Sequence, residues 1–141
     1  MSRKMSDKLA GKRVLVLGGE TTLGRALAVG LAEAGADIAI ATLSPASDAE
    51  FAVNSALNEL WALGREGVAL LIDASDPGQV REAVRRAEDE VGRLDAAAAV
   101  VPEEGAVALD GLRSALGGRR LVVLAGDAAV IDALREVVDA L

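Results

Sequence analysis

The sequence predicts a single doubly wound α/β domain: five parallel strands in the order 3-2-1-4-5, with helices on both faces. Aliphatic runs of strand length alternate with apolar patterns of helical period five times along the 141 residues. Parallel strands joined by crossover helices require that alternation. The run Val14-Leu15-Val16-Leu17 also gives way to Gly18-Gly19, and Gly24 opens a helical pattern. Strand, tight turn and helix in that order form the first half of a βαβ unit. Right-handed crossovers then set the first and fourth strands side by side.

The elements follow in order. Arg13–Leu17 reads as the first strand. Leu23, Ala26, Leu27, Leu31 and Ala34 give the first helix its apolar face, and Gly35 stands where a C′ glycine ends it. Asp37–Thr42 is the second strand, apolar between its ends as expected when both faces are buried. Ser47 and Glu50 form the capping box of a helix with Val53, Ala56, Leu57, Leu60 and Trp61 on one side. Gly64 and Gly67 end it. Val68–Ile72 is the third strand, and Asp76-Pro77-Gly78-Gln79 supplies an N-cap, an N1 proline and a reaching Gln. Val80, Val84, Ala87 and Val91 are the stripe of that third helix. Ala96–Val101 is the fourth strand, built of small residues, and Pro102–Gly105 a loop. Val107–Leu116 is a short helix stopped by Gly117-Gly118, Leu121–Ala125 the fifth strand and Ala128–Leu141 the last helix.

Composition narrows the function classes. The chain is 52% hydrophobic but 1% aromatic, so its core is built from Ala, Val, Leu and Ile. A net charge of −7 argues against nucleic acid or an anionic membrane as the main partner. With no Cys and no His, neither a disulfide framework nor a usual zinc or haem ligand is present. Residues 1–141 read as one domain with no linker, and residues 1–8 as a flexible polar lead-in. No apolar run approaches membrane length, and Met1–Lys8 has no apolar h-region. A soluble, cytoplasmic protein is expected.

The Gly-rich turn carries the chemistry. Gly18 and Gly24 keep the outer glycines of the longer-spaced G-x-x-x-G-x-G pattern, and Thr22 takes the middle place. A turn of this kind offers backbone N–H groups and a helix N-terminus to a phosphate. A middle glycine lets a pyrophosphate approach closely, and a β-branched Thr narrows that approach. Gly18, Thr21, Thr22, Leu23 and Gly24 are therefore candidate cofactor contacts. The alternative is a turn that only bends the chain, with Thr21 or Thr22 capping the helix.

Over nearly its first two-thirds the chain resembles the short-chain dehydrogenase/reductase family, whose fold is Rossmann-like. Lys8-Leu9-Ala10-Gly11-Lys12-Arg13 is similar to that family's lead-in, and Gly18–Ala26 to its Gly-rich turn with the middle Gly lost. Asp73-Ala74-Ser75-Asp76 resembles its motif after the third strand, and Val91-Gly92-Arg93-Leu94-Asp95 the approach to its fourth. The resemblance implies NAD or NADP as cofactor, with Asp73 and Ala74 beside the adenine. Asp73 capping its own turn is the alternative. Thr42 stands where an acidic residue would bind the adenosine ribose, and Glu20 would repel a nearby phosphate.

The family's chemistry uses a Ser, and a Tyr and Lys spaced Tyr-x-x-x-Lys. This sequence has no tyrosine, its lysines are Lys4, Lys8 and Lys12, and Ser114 has no base beside it. Ala99-Val100-Val101-Pro102 replaces the family's Asn-Asn-Ala-Gly. No catalytic residue and no metal ligand is assigned. The expected function is a degenerate, non-catalytic module with at most weak NAD(P) binding. The alternatives are an assembly protein on the same scaffold, and an oxidoreductase completed by a partner chain. The last helix places Val130, Ile131, Leu134, Val137, Val138 and Leu141 on one side. In the resembled family the helices flanking the fifth strand form the dimer interface. A homo-oligomer through Val107–Leu116 and Ala128–Leu141 is accordingly expected.

Overall fold

The computed structural model describes residues 8–141, so the expectation of a flexible lead-in falls outside the described residues except at Lys8. The strands are β1 (Arg13–Leu17), β2 (Asp37–Ala41), β3 (Gly67–Leu70), β4 (Ala96–Val101) and β5 (Arg120–Ala125). The helices are α1 (Thr22–Glu33), α2 (Ser47–Ala62), α3 (Pro77–Val91), α4 (Leu109–Leu116) and α5 (Val130–Ala140). The sheet runs β3-β2-β1-β4-β5 and every pairing is parallel, as the alternation requires.

Successive strand residues point to opposite faces, so the sheet carries two cores. Val14 and Val16 join Ile38, Ile40, Ala98 and Val100 beneath α1, α2 and α5. Leu15 and Leu17 join Ala39, Ala41, Ala97 and Ala99 beneath α3 and α4. Register explains the alanines on this second face. Leu15 lies between Ala39 and Ala97, and Leu17 between Ala41 and Ala99. Large side chains on the central strand fill the space that small ones leave on its neighbours, as close packing demands.

Several boundaries differ from the sequence reading, each for a local reason. Ser47 is not the N-cap of α2: the Glu50 amide already bonds to the Ala46 carbonyl, and Ala46 caps without a side chain. Trp61 is 55% exposed rather than on the buried side. It follows Leu60 by the 100° of one helical step, past the stripe of Val53, Ala56, Leu57 and Leu60. Strand β3 ends at Leu70 instead of Ile72, because the Thr42 side chain takes over the pairing there. At α3 the Asp76 carboxylate accepts the Gly78 amide as expected, while Gln79 reaches past it to the Asp73 amide.

Helix α5 crosses to the face of α1, burying Ala133 and Val137, whereas α4 buries Leu112 and Leu116 against α3 on the other. The two helices flanking β5 thus lie on opposite faces. Val130 and Ile131 begin α5 in solvent, Ile131 at 68% exposure.

Candidate functional site

The carboxyl ends of β1, β2, β3 and β4 meet at one edge, where open parallel sheets bind ligands. The Gly-rich turn between β1 and α1 forms its centre. The Gly18 and Gly19 amides both donate to the Ala41 carbonyl, at 2.9 and 3.1 Å, tying the turn to β2. Thr21 is the N-cap of α1. Its hydroxyl donates to the Gly18 carbonyl at 2.6 Å and accepts the Gly24 amide at 2.9 Å. The Thr21 hydroxyl is therefore engaged within the turn. The Thr22 and Leu23 amides, first in the helix, have no intrahelical acceptor and supply its free N-terminal donors. The Thr22 side chain is exposed and Leu23 is buried.

The outer glycines are demanded by packing. A Cβ on Gly24 would lie 2.0 Å from the Gly18 carbonyl oxygen. Gly18 has φ +94°, and a Cβ there would stand 2.9 Å from the Val100 Cβ. Gly18 and Gly24 thus hold helix and strand close enough to present the two free amides at the edge.

Thr42 does not reach this edge. It is fully buried, and its hydroxyl donates to the Ile72 carbonyl at 2.8 Å and accepts the Ile72 amide at 2.9 Å. Asp73 and Ala74 close the neighbouring side. Asp73 Oδ1 accepts the Ser75 hydroxyl at 2.6 Å and the Ser75 amide at 3.0 Å. The Ser75 hydroxyl, then its amide, holds the Asp73 carboxyl below its ordinary value against a small effect of burial. Ala74 is buried, donating to the Leu43 carbonyl and accepting the Ala108 amide. Asp73 faces a cavity of about 480 Å³ with Leu43, Ser44, Ser75, Pro102 and Glu103 on its walls.

Glu20, expected to repel a nearby phosphate, has backbone partners that the sequence does not name. From within the turn its side chain spans to the residues after β2. Its Oε2 accepts the Leu43 amide at 2.8 Å and the Ser44 amide at 3.4 Å, and its Oε1 the Leu43 amide at 3.0 Å. Sequence reasoning missed Leu43 and Ser44 as the partners. The available signal was an acidic residue inside a turn that parallel pairing must bring beside β2. Among the described residues no group of three or more His, Cys, Asp or Glu is placed to hold a metal ion. No helix among them is long and apolar enough to cross a membrane.

Fold and edge together define a Rossmann-like α/β module. The model of the short chain dehydrogenase family matches residues 12–139, and the chain belongs to that family. Among its relatives, the L-rhamnose 1-dehydrogenase (NAD(P)(+)) of a Sphingomonas species is 38% identical over 87 residues, 62% of this chain and 33% of that one. General stress protein 39 of Bacillus subtilis is 39% identical over 95 residues, covering 65% of this chain and 31% of that one. A short chain dehydrogenase from Burkholderia cenocepacia, solved in complex with NADP, superposes with a TM-score of 0.68 at 31% identity. It covers 82% of this chain and 56% of its own. The chain spans about a third of the length of these curated relatives.

Proposed function

We propose that this chain is a non-catalytic Rossmann module of the short-chain dehydrogenase family that holds NAD or NADP weakly, in the cytoplasm. The observation that carries the reading is the missing proton relay. There is no tyrosine, the three lysines all precede β1, and Ser114 sits exposed on α4 with no base beside it.

The turn retains what a pyrophosphate uses. Gly18 and Gly24 keep the close strand–helix approach, and the Thr22 and Leu23 amides lie at the positive end of α1. Thr22 in the middle place sets a β-branched side chain where the approach is closest, which weakens the contact. An adenine would take the cavity that Asp73 lines, while Ala74 is buried and not on its walls. A bound nicotinamide supplies a hydride donor or acceptor. The protein's own residues bind and orient it but move no proton. Calorimetric titration with NAD, NADH, NADP and NADPH tests the binding half of the reading. Dissociation constants weaker than micromolar are expected, and micromolar binding would overturn the role given to Thr22.

Exposed apolar residues favour a second reading, assembly. Val130 and Ile131 open α5 in solvent, continuous with the partly buried Leu134 and Val138. A homo-oligomer through Val107–Leu116 and Ala128–Leu141 would use two separate patches, since α4 and α5 lie on opposite faces.

A further inference from the structure

We propose that Glu20 sets the cofactor preference of this site, accepting the unphosphorylated ribose of NAD and rejecting the 2′-phosphate of NADP. The inference rests on the dinucleotide reading above. In α/β sheets of this kind the adenosine ribose lies just beyond the second strand, where an acidic residue takes its hydroxyls or an arginine takes a 2′-phosphate. The residue at that strand end here is Thr42, and its hydroxyl is wholly committed to Ile72. The acid arrives from elsewhere. Glu20 leaves the Gly-rich turn and brings its carboxylate to the Leu43 and Ser44 amides, within 2.8 to 3.4 Å.

Three consequences follow for a ligand. The amides that would donate to a phosphate already donate to Glu20. The carboxylate, held at the Leu43 and Ser44 amides just past β2, would put negative charge against a 2′-phosphate bound there. Its remaining acceptor sites suit the hydroxyls of a ribose diol, since an ionised carboxylate accepts about four hydrogen bonds.

On the Ser44 side the surroundings add no counterweight. Glu20 lines two cavities. The one on the Ser44 side, about 360 Å³, has Ser44, Ala46, Ala49, Ala52 and a second carboxylate, Asp48, on its walls and no lysine or arginine. The one on the α1 side, about 520 Å³, includes Arg25. Arg25 is the nearby cation on α1. Its guanidinium is held by Glu59 at 2.9 Å and Ser55 at 3.3 Å, facing α2. On the Ser44 side a 2′-phosphate would therefore meet like charge, with Arg25 turned to Glu59 and Ser55.

Calorimetric titration of NAD and NADP against the wild-type chain and Glu20→Gln tests the proposal. Gln keeps an acceptor for the Leu43 amide while removing the charge, so the turn folds as before. Wild type is expected to bind NAD at least about tenfold more tightly than NADP, a modest demand on one like-charge contact. In Glu20→Gln that ratio should fall to near one. NADP binding the wild type as tightly as NAD, or a ratio that Glu20→Gln leaves unchanged, overturns the proposal while leaving dinucleotide binding in place. If Glu20→Gln binds both cofactors equally and the wild type binds neither, Glu20 blocks the site rather than selecting, and the proposal fails. If neither protein binds either cofactor, the dinucleotide reading falls and the proposal with it.

Discussion

A single hydroxyl joins Thr42 to Ile72: it donates to the Ile72 carbonyl at 2.8 Å and accepts the Ile72 amide at 2.9 Å, both buried. The last rung between β2 and β3 is thus made by a side chain. Thr42→Val keeps shape but strands both backbone groups of Ile72. It should lower the unfolding free energy by about 1–3 kcal/mol, read by urea denaturation, and Thr42→Ser should recover most of that. A Val variant as stable as wild type would show that other partners satisfy Ile72.

Gly24 permits no side chain, because its Cβ would lie 2.0 Å from a backbone oxygen. Gly24→Ala should cost about 3 kcal/mol or more, at the upper end for overpacking, and should open the turn. Gly78→Ala is the control. It meets a side-chain oxygen of Asp76 at 3.3 Å and should be close to neutral by the same measurement.

Glu88 and Arg119 form the best-shielded ion pair among the described residues, with side-chain exposures of 27% and 16%. Burial raises the Glu88 carboxyl. The Arg119 hydrogen bond, the Leu94 amide and the charges of Arg119 and Arg93 outweigh it and hold the carboxyl below its ordinary value. A lowered folded pKa means that the unfolded chain binds more protons as the pH falls. The stabilisation is therefore full above the unfolded value of about 4.3 and is lost on descending through the lower folded value. Stability curves of wild type and Glu88→Gln should differ at neutral pH and converge in acid. A difference that does not change with pH would contradict this.

Ile131 touches little of its own domain and is 68% exposed. If α5 carries a contact between copies, Ile131→Asp should convert a dimer to a monomer in light scattering without changing thermal stability of the fold. A monomeric wild type at tens of micromolar, or a variant that assembles unchanged, would rule the contact out.

The sheet order was legible because it follows from alternation and handedness, which need only the spacing of apolar runs. The glycines were legible too, since Gly18 and Gly24 are demanded by a strand–helix approach that recurs wherever this turn is built. What escaped the sequence depends on where a side chain points at the end of an element. Thr42 was placed at the ribose, yet the pleat turns it inward to Ile72. The sequence marks Glu20 as a charge that would repel a phosphate but not its partners, and parallel pairing of β1 and β2 brings Leu43 and Ser44 within its reach. Trp61 and Ser47 failed for a similar reason: one helical step or one residue of phase moves a side chain off its face or out of its cap.

Turnover by the purified chain, with each nicotinamide cofactor and a panel of alcohols and ketones, tests most directly whether the scaffold is kept without its chemistry. Loss of general acid–base help typically removes about 10²–10⁴-fold in rate. The expected result is no cofactor-dependent oxidation or reduction above the rate of buffer, at protein concentrations where the fold is intact. Cofactor-dependent turnover that follows the protein through purification and disappears in Gly24→Ala would contradict it, and would mean that a proton relay exists without tyrosine or Tyr-x-x-x-Lys.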